Sequence, residues 1–85
     1  MSFPAGPQDF IDYFERVNRG HPGEHWANGV DVAKRWLSLA AQPHVSQSDV
    51  DELLARLRGE PDPGSGWTDL TWQFEHWAEQ RGFRV

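Results

Sequence analysis

The sequence predicts an all-α fold: a compact single domain of four helices packed as an orthogonal or irregular bundle. Apolar residues recur at intervals of three and four along most of the chain, the spacing of one helix face. Proline and glycine divide these stretches into four segments of helical length. The 85 residues include no cysteine but eleven aromatic residues (five Trp, five Phe and one Tyr). A small domain without disulfides must therefore build its core from aromatic side chains.

The first predicted helix covers residues 7–19 and follows an extended N-terminal arm, residues 1–6. Pro7 suits the first helical position, because an amide hydrogen has no helical partner there. Gly20 is expected to end the helix. One apolar face is predicted, formed by Phe10, Ile11, Phe14 and Val17.

The second predicted helix covers residues 29–42, with Asn28 as its N-cap. Residues 20–28 are rich in glycine and proline and are predicted as a loop, from which Trp26 folds back onto the body. Pro43 ends the helix. Because apolar residues cover more than half of its circumference, we expect a central helix that is contacted on several sides.

The third predicted helix covers residues 46–58 and has the clearest start signal in the chain. Ser46 is the expected N-cap, and Asp49 stands three residues later, as in a capping box. Residues 59–65 are predicted as the next loop. A narrow apolar stripe places this helix at the side of the bundle; it consists of Val50, Leu53, Leu54 and Leu57.

The fourth predicted helix covers residues 66–81, with Ser65 as N-cap and Gly82 as the C-terminal stop. Phe83, just beyond the stop, is expected to fold back onto the last turn. The predicted core face consists of Trp67, Leu70, Phe74 and Trp77.

Trp72 lies about 180° from the centre of that core face, at 100° per residue. A Trp on a polar helix face is unusual, and Trp is enriched at the energetic centres of protein interfaces. We therefore predict a protein-binding site there, and we also consider a second copy of the chain as its occupant. The alternatives are that the N-terminal arm or the Trp26 segment covers the ring, or that the ring is simply partly exposed at the surface. The site comprises Trp72, Asp69, Glu75, His76 and Glu79.

The net charge of −5 is unevenly distributed. Residues 1–45 contain five acids and four bases, whereas residues 46–85 contain eight acids and four bases. An acidic half attracts basic proteins and repels phosphate backbones. The expected partner is therefore a basic protein surface rather than a nucleic acid.

No residue pattern indicates catalysis, a metal site or a cofactor. Residues 21–25, HPGEH, match the His-x-x-Glu-His spacing of inverzincin zinc proteases, in which one helix face carries both histidines. Here Pro22 and Gly23 occupy the middle of the motif, where a helix is least favoured, and we expect an ordinary loop. The chain also lacks a glycine-rich phosphate loop and a nucleophile motif. We expect a protein that is not an enzyme.

Residues 39–54, LAAQPHVSQSDVDELL, resemble the helix-turn-helix pattern of transcription regulators, with His44 where glycine is usual and Pro43 where an apolar residue is usual. The resemblance implies helix-turn-helix-like packing of the second and third helices, and a DNA-binding regulator is the alternative function. Acids near the start of the third helix would repel phosphates. The matching positions are Leu39, Ala40, His44, Val45, Ser46, Val50 and Leu53. The residues that would contact DNA are Ser46, Gln47 and Ser48.

The C-terminal quarter resembles small acidic bacteriocin-immunity proteins, in Ser65-Gly66, the Trp-bearing last helix and the ending Gly82-Phe83-Arg84. The tyrosine-rich third-helix motif of that family has no counterpart here. We expect a cytoplasmic adaptor, inhibitor or immunity-type partner, since no signal peptide or membrane-length apolar run is present. Arginine-rich, lysine-poor usage favours a bacterial, high-GC source. A small-ligand carrier with an aromatic pocket between the second and fourth helices is a third class.

Overall fold

The computed structural model describes residues 6–61 and 64–85, which form four helices and no strand. The helices are α1 (Pro7–Gly20), α2 (Glu24–Ala41), α3 (Gln47–Arg58) and α4 (Gly64–Gln80). The prediction of a compact all-α single domain is confirmed. Residues 1–5 of the expected arm lie outside the described residues, as do Asp62 and Pro63 of the 59–65 loop.

Helix α1 begins as its sequence predicts. Pro7 is the first helical residue, and the Gly6 amide donates a hydrogen bond to Asp9 Oδ2 over 3.2 Å. The helix ends at Gly20. Its buried face meets α2 and α4 and consists of Phe10, Ile11 and Phe14.

Helix α2 begins at Glu24, five residues earlier than predicted, so the predicted loop over residues 20–28 is wrong in extent. Asn28 lies inside the helix and is not its N-cap, a position that Gly23 takes. Glycine is unfavourable inside a helix, so Gly29 suggests a helix start, but here it is a buried packing residue inside α2. A Cβ placed there would lie 2.8 Å from Cδ1 of Phe14, so only glycine allows α1 to approach so closely. Trp26 does pack on the core, with its ring centre 5.9 Å from that of Phe14.

Helix α2 contacts each of the other three helices. Trp36 carries much of this packing, since its ring centre lies 6.0 Å from Phe10 of α1 and 5.7 Å from Phe74 of α4. The core is thus an aromatic network spanning several helices. The helix-turn-helix-like packing of α2 and α3 stays a prediction.

Helix α3 carries the predicted capping box. The Ser46 hydroxyl accepts a hydrogen bond from the Asp49 amide over 3.1 Å, and Asp49 Oδ2 accepts one from the Ser46 amide over 3.2 Å. The helix then buries its full apolar stripe, Val50, Leu53, Leu54 and Leu57.

Helix α4 starts two residues before the predicted bound, so Ser65 lies within the helix and is not its N-cap. The C-terminal stop is confirmed: Gly82 has a φ of +87°, and the Phe83 amide donates to the Ala78 carbonyl over 3.0 Å. Trp77 is only half-buried, and Ala78 is fully buried instead. At 100° per residue Ala78 lies closer than Trp77 to the centre of the buried face.

The described part of the chain contains no helix long and apolar enough to span a bilayer. The molecule measures 36 × 24 × 21 Å along its principal axes. The outer face of α4 and the C-terminal end of α3 lie side by side on its surface.

Candidate functional site

Trp72 is the most exposed large apolar side chain among the described residues, at 61% of its full accessible surface. Its exposure follows from the register of α4, which buries Trp67, Leu70 and Phe74 on the opposite face. The Trp72 ring is nearly parallel to the imidazole of His76, one turn later, with ring centres 6.1 Å apart and an angle of 13°. The indole is therefore supported on α4 but still offers surface to a partner.

The four predicted neighbours of Trp72 differ in what they offer. His76 and Glu79 are exposed, whereas Asp69 and Glu75 are half-buried. The Nε2 atom of His76 also lies 3.3 Å from the side-chain amide of Gln80. The helical register alone thus brings the five residues to one face, but it leaves them in different environments.

Glu75 forms an ion pair within the chain. The Arg58 guanidinium donates to Glu75 Oε2 from the last turn of α3 and also donates to the Val85 carbonyl over 2.9 Å. The Arg58 side chain is 48% exposed and that of Glu75 is 25% exposed. Glu75 is therefore already paired within the chain, a feature that its position in the sequence does not indicate.

A groove of about 320 Å³ runs between the end of α3 and α4, beside Trp72. Several of its polar atoms are already used within the fold. The Trp67 indole donates to the Leu57 carbonyl over 2.9 Å, and the Thr71 hydroxyl donates to the Trp67 carbonyl over 3.0 Å. Arg58 and Glu75 are paired with each other, but both side chains keep part of their surface exposed to the groove. The lining residues are Leu57, Arg58, Glu60, Trp67, Thr68, Thr71, Trp72 and Glu75.

Glu60, at the end of this groove, faces His25. Glu60 Oε1 lies 3.3 Å from His25 Nδ1 without forming a hydrogen bond, and both side chains are mostly buried. The His25 ring packs between Trp26 and Trp67, with centres at 4.6 Å and 5.4 Å. His25 is thus a packed residue of the first turn of α2, not the loop residue that the sequence predicted.

The three residues proposed for DNA contact are largely engaged inside the chain. The Ser46 hydroxyl caps α3. The Gln47 side-chain amide donates to the Arg84 carbonyl over 2.8 Å and accepts from the Arg84 amide over 3.0 Å. Ser48 is exposed. The C-terminal segment therefore lies against the start of α3.

A second cleft, of about 270 Å³, is the observation most relevant to a small-ligand carrier. It is lined by α2, α3 and α4 residues, and Trp67 is the aromatic residue among them. No group of three or more His, Asp or Glu side chains is arranged to hold a metal ion within the described ranges. His21 follows α1 and His25 lies in α2, so the two do not share one helix.

Helical register predicts that Trp72 and its acidic neighbours share one face, because all of them lie within one helix. The residues that sequence reasoning missed are Arg58, Glu60 and the groove between α3 and α4. Arg58 and Glu75 are 17 positions apart, and no local signal marks such a pair. No protein-family model, curated protein or solved structure matches this chain.

Proposed function

We propose that the protein is a non-enzymatic interaction module that binds a basic surface of another protein through the outer face of α4. The observation that supports it best is Trp72, which is 61% exposed on a helix whose neighbouring side chains are acidic. Covering the exposed part of the ring would remove roughly 100–150 Å² from water. At about 25 cal/mol per Å² this is worth roughly 2.5–4 kcal/mol, enough for one side chain to dominate a small interface.

The charge of the same region favours a basic partner. Three acids lie on α4 and a fourth lines the groove, whereas Arg58 is the basic residue among those that line the groove. The acids are Asp69, Glu75, Glu79 and Glu60. Such a surface steers cationic proteins toward itself and speeds their association at low salt. The protein would then act as a bacterial cytoplasmic adaptor, inhibitor or immunity-type partner that covers a basic surface.

The test is affinity capture from the source cells with three forms of the protein as bait. The wild type and Leu37→Ala are expected to retain the same basic protein, and Trp72→Ala to lose it. Leu37 is the matched control, because it is an exposed large apolar residue on a different helix, α2. Purified captured protein should then bind the wild type with an affinity that falls as salt rises.

Two results would contradict the proposal. One is the recovery of the same proteins by all three baits at equal yield, while circular dichroism shows that all three are folded. The other is a salt-sensitive shift of a DNA duplex at physiological ionic strength, which would favour the helix-turn-helix regulator instead. Gln47 is bonded to the Arg84 backbone, which leaves fewer groups at the start of α3 for bases.

A further inference from the structure

We infer that Arg58 occupies, in the unbound protein, the binding position at Glu75 that an arginine of the partner occupies in the complex. The incoming guanidinium would pair with Glu75, lie against Trp72 and release Arg58. This inference rests on the proposed function and adds the chemical identity of the partner's anchor, an arginine in a basic protein segment. It also assigns Arg58 a role in affinity that its charge alone would not indicate.

The Arg58–Glu75 pair is suited to exchange because it lies at the surface. Arg58 is 48% exposed, and its guanidinium is shared between Glu75 and the Val85 carbonyl. Ion pairs with this exposure contribute little to stability, since water competes for both partners. Arg58 can therefore leave Glu75 at small cost and keep its bond to Val85.

An incoming arginine can make one contact that Arg58 does not. Among the described residues, cations lie over the rings of Tyr13 and Trp77, from Arg16 at 6.0 Å and Arg81 at 4.8 Å. No cation among the described residues lies over the Trp72 ring in this way, although Trp72 lines the same groove as Glu75. A planar guanidinium can stack on an indole and bond a carboxylate at the same time, whereas an ammonium group cannot do both as well.

The charge around the groove favours a basic segment over the other occupants. The lining includes two carboxylates, Glu60 and Glu75, against one guanidinium, and Glu79 lies on the same side of α4. A nucleic acid would bring phosphates to these acids. A second copy would bring a chain of net charge −5. Both are repelled, whereas an arginine-bearing segment is attracted.

The experiment measures binding of a fluorescein-labelled peptide, Gly-Arg-Gly-Arg-Gly-Arg-Gly, by fluorescence anisotropy. A matched peptide has citrulline in place of each arginine, which keeps the shape and removes the charge. The protein variants are Arg58→Gln, Glu75→Gln and Trp72→Ala. Arg56→Gln is the control for net charge, because Arg56 also lies on α3 and pairs with Asp31 over 3.4 Å, away from Glu75.

Arg58→Gln is expected to bind the arginine peptide about two- to fivefold more tightly than the wild type, because the peptide no longer has to displace an exposed ion pair from Glu75. Arg56→Gln should change the Kd less than about twofold, as removal of a distant surface charge does. Adding Glu75→Gln should abolish the gain. In the wild type, the NMR signal of the Arg58 Nε–H group should move toward that of a free arginine as peptide is added.

The proposed exchange would be overturned if Arg58→Gln and Arg56→Gln changed the Kd for the arginine peptide equally. It would also be overturned if Arg58→Gln bound this peptide more weakly than the wild type. An Arg58 NMR signal that stays unchanged at saturating peptide would overturn it too, and this readout needs no variant to fold. The proposed function would survive these results if Trp72→Ala still loses binding. It would itself fail if Trp72→Ala binds like the wild type, or if the wild type does not prefer arginine to citrulline.

Discussion

Gly29 is the residue that allows α1 and α2 to approach as closely as they do. It is buried in the middle of α2, and a Cβ there would lie 2.8–3.0 Å from three ring carbons of Phe14. Phe14 is itself fully buried and in contact with the rings of Trp26 and Trp67. A shift of Phe14 would therefore displace aromatic residues of α2 and α4 as well.

Gly29→Ala is expected to destabilise the protein by about 2 kcal/mol. Alanine gains about 1 kcal/mol of helix propensity over glycine, but overpacking a well-filled core costs about 1–3 kcal/mol, and the rigid ring of Phe14 places this site at the upper end. Urea unfolding followed by circular dichroism measures the difference. The control is Gly20→Ala at the end of α1, where a Cβ meets no atom within 4 Å. A Gly29→Ala variant as stable as Gly20→Ala would contradict this packing.

Gly29 also shows which part of the fold the sequence alone cannot predict. Glycine and proline between residues 20 and 29 are typical of a loop, so the sequence predicts a start of α2 at residue 29, whereas the helix begins at Glu24. Trp72 could be assigned to an outer face because register within one helix follows from spacing alone. Gly29 could not be assigned, because the reason for it is a ring on another helix.

Among the helices, α3 shows which features local sequence signals can predict. Its capping box, its apolar stripe and its end before Gly59 all follow from residues within one helix length, and all are confirmed. The Arg58–Glu75 pair and the Gln47–Arg84 pair join residues 17 and 37 positions apart. These contacts depend on how α3 and α4 pack, so neither the groove nor the engagement of Gln47 could be predicted.

Ser46→Ala is expected to cost about 1 kcal/mol of stability, the usual loss when an N-cap hydroxyl is removed. The Asp49 amide would lose its 3.1 Å partner, and the capping box would be left with the Asp49 carboxylate bond alone. Ser48→Ala is the matched control, because Ser48 is exposed in the first turn of the same helix. Alanine there should be neutral or slightly stabilising, since its helix propensity is higher. Thermal unfolding of both variants decides, and equal melting temperatures would contradict the capping role.

For the molecule as a whole, stability depends on a small number of large buried side chains that link the four helices. A domain of this length has roughly 4–13 kcal/mol of stability in total, so the loss of one aromatic contact matters. Trp67 of α4 contacts Phe14 of α1 and His25 of α2, and its indole donates to the Leu57 carbonyl of α3. Trp36 is as deeply buried, but its indole N–H has no hydrogen-bond partner among the described residues.

This difference predicts unequal effects from the same substitution at two buried tryptophans. Trp67→Phe should destabilise by about 3 kcal/mol, because it leaves a small cavity and also removes the partner of a buried carbonyl. Trp36→Phe leaves a similar cavity but removes a donor that is unsatisfied in the fold, so its cost should be about 1–2 kcal/mol. With about 4–8 °C per kcal/mol for a domain of this size, the melting temperatures should differ by several degrees. Calorimetry of both variants measures this. Equal melting temperatures would mean that the Trp67 bond to Leu57 contributes nothing net, and that α3 is held to α4 by apolar contact and surface ion pairs alone.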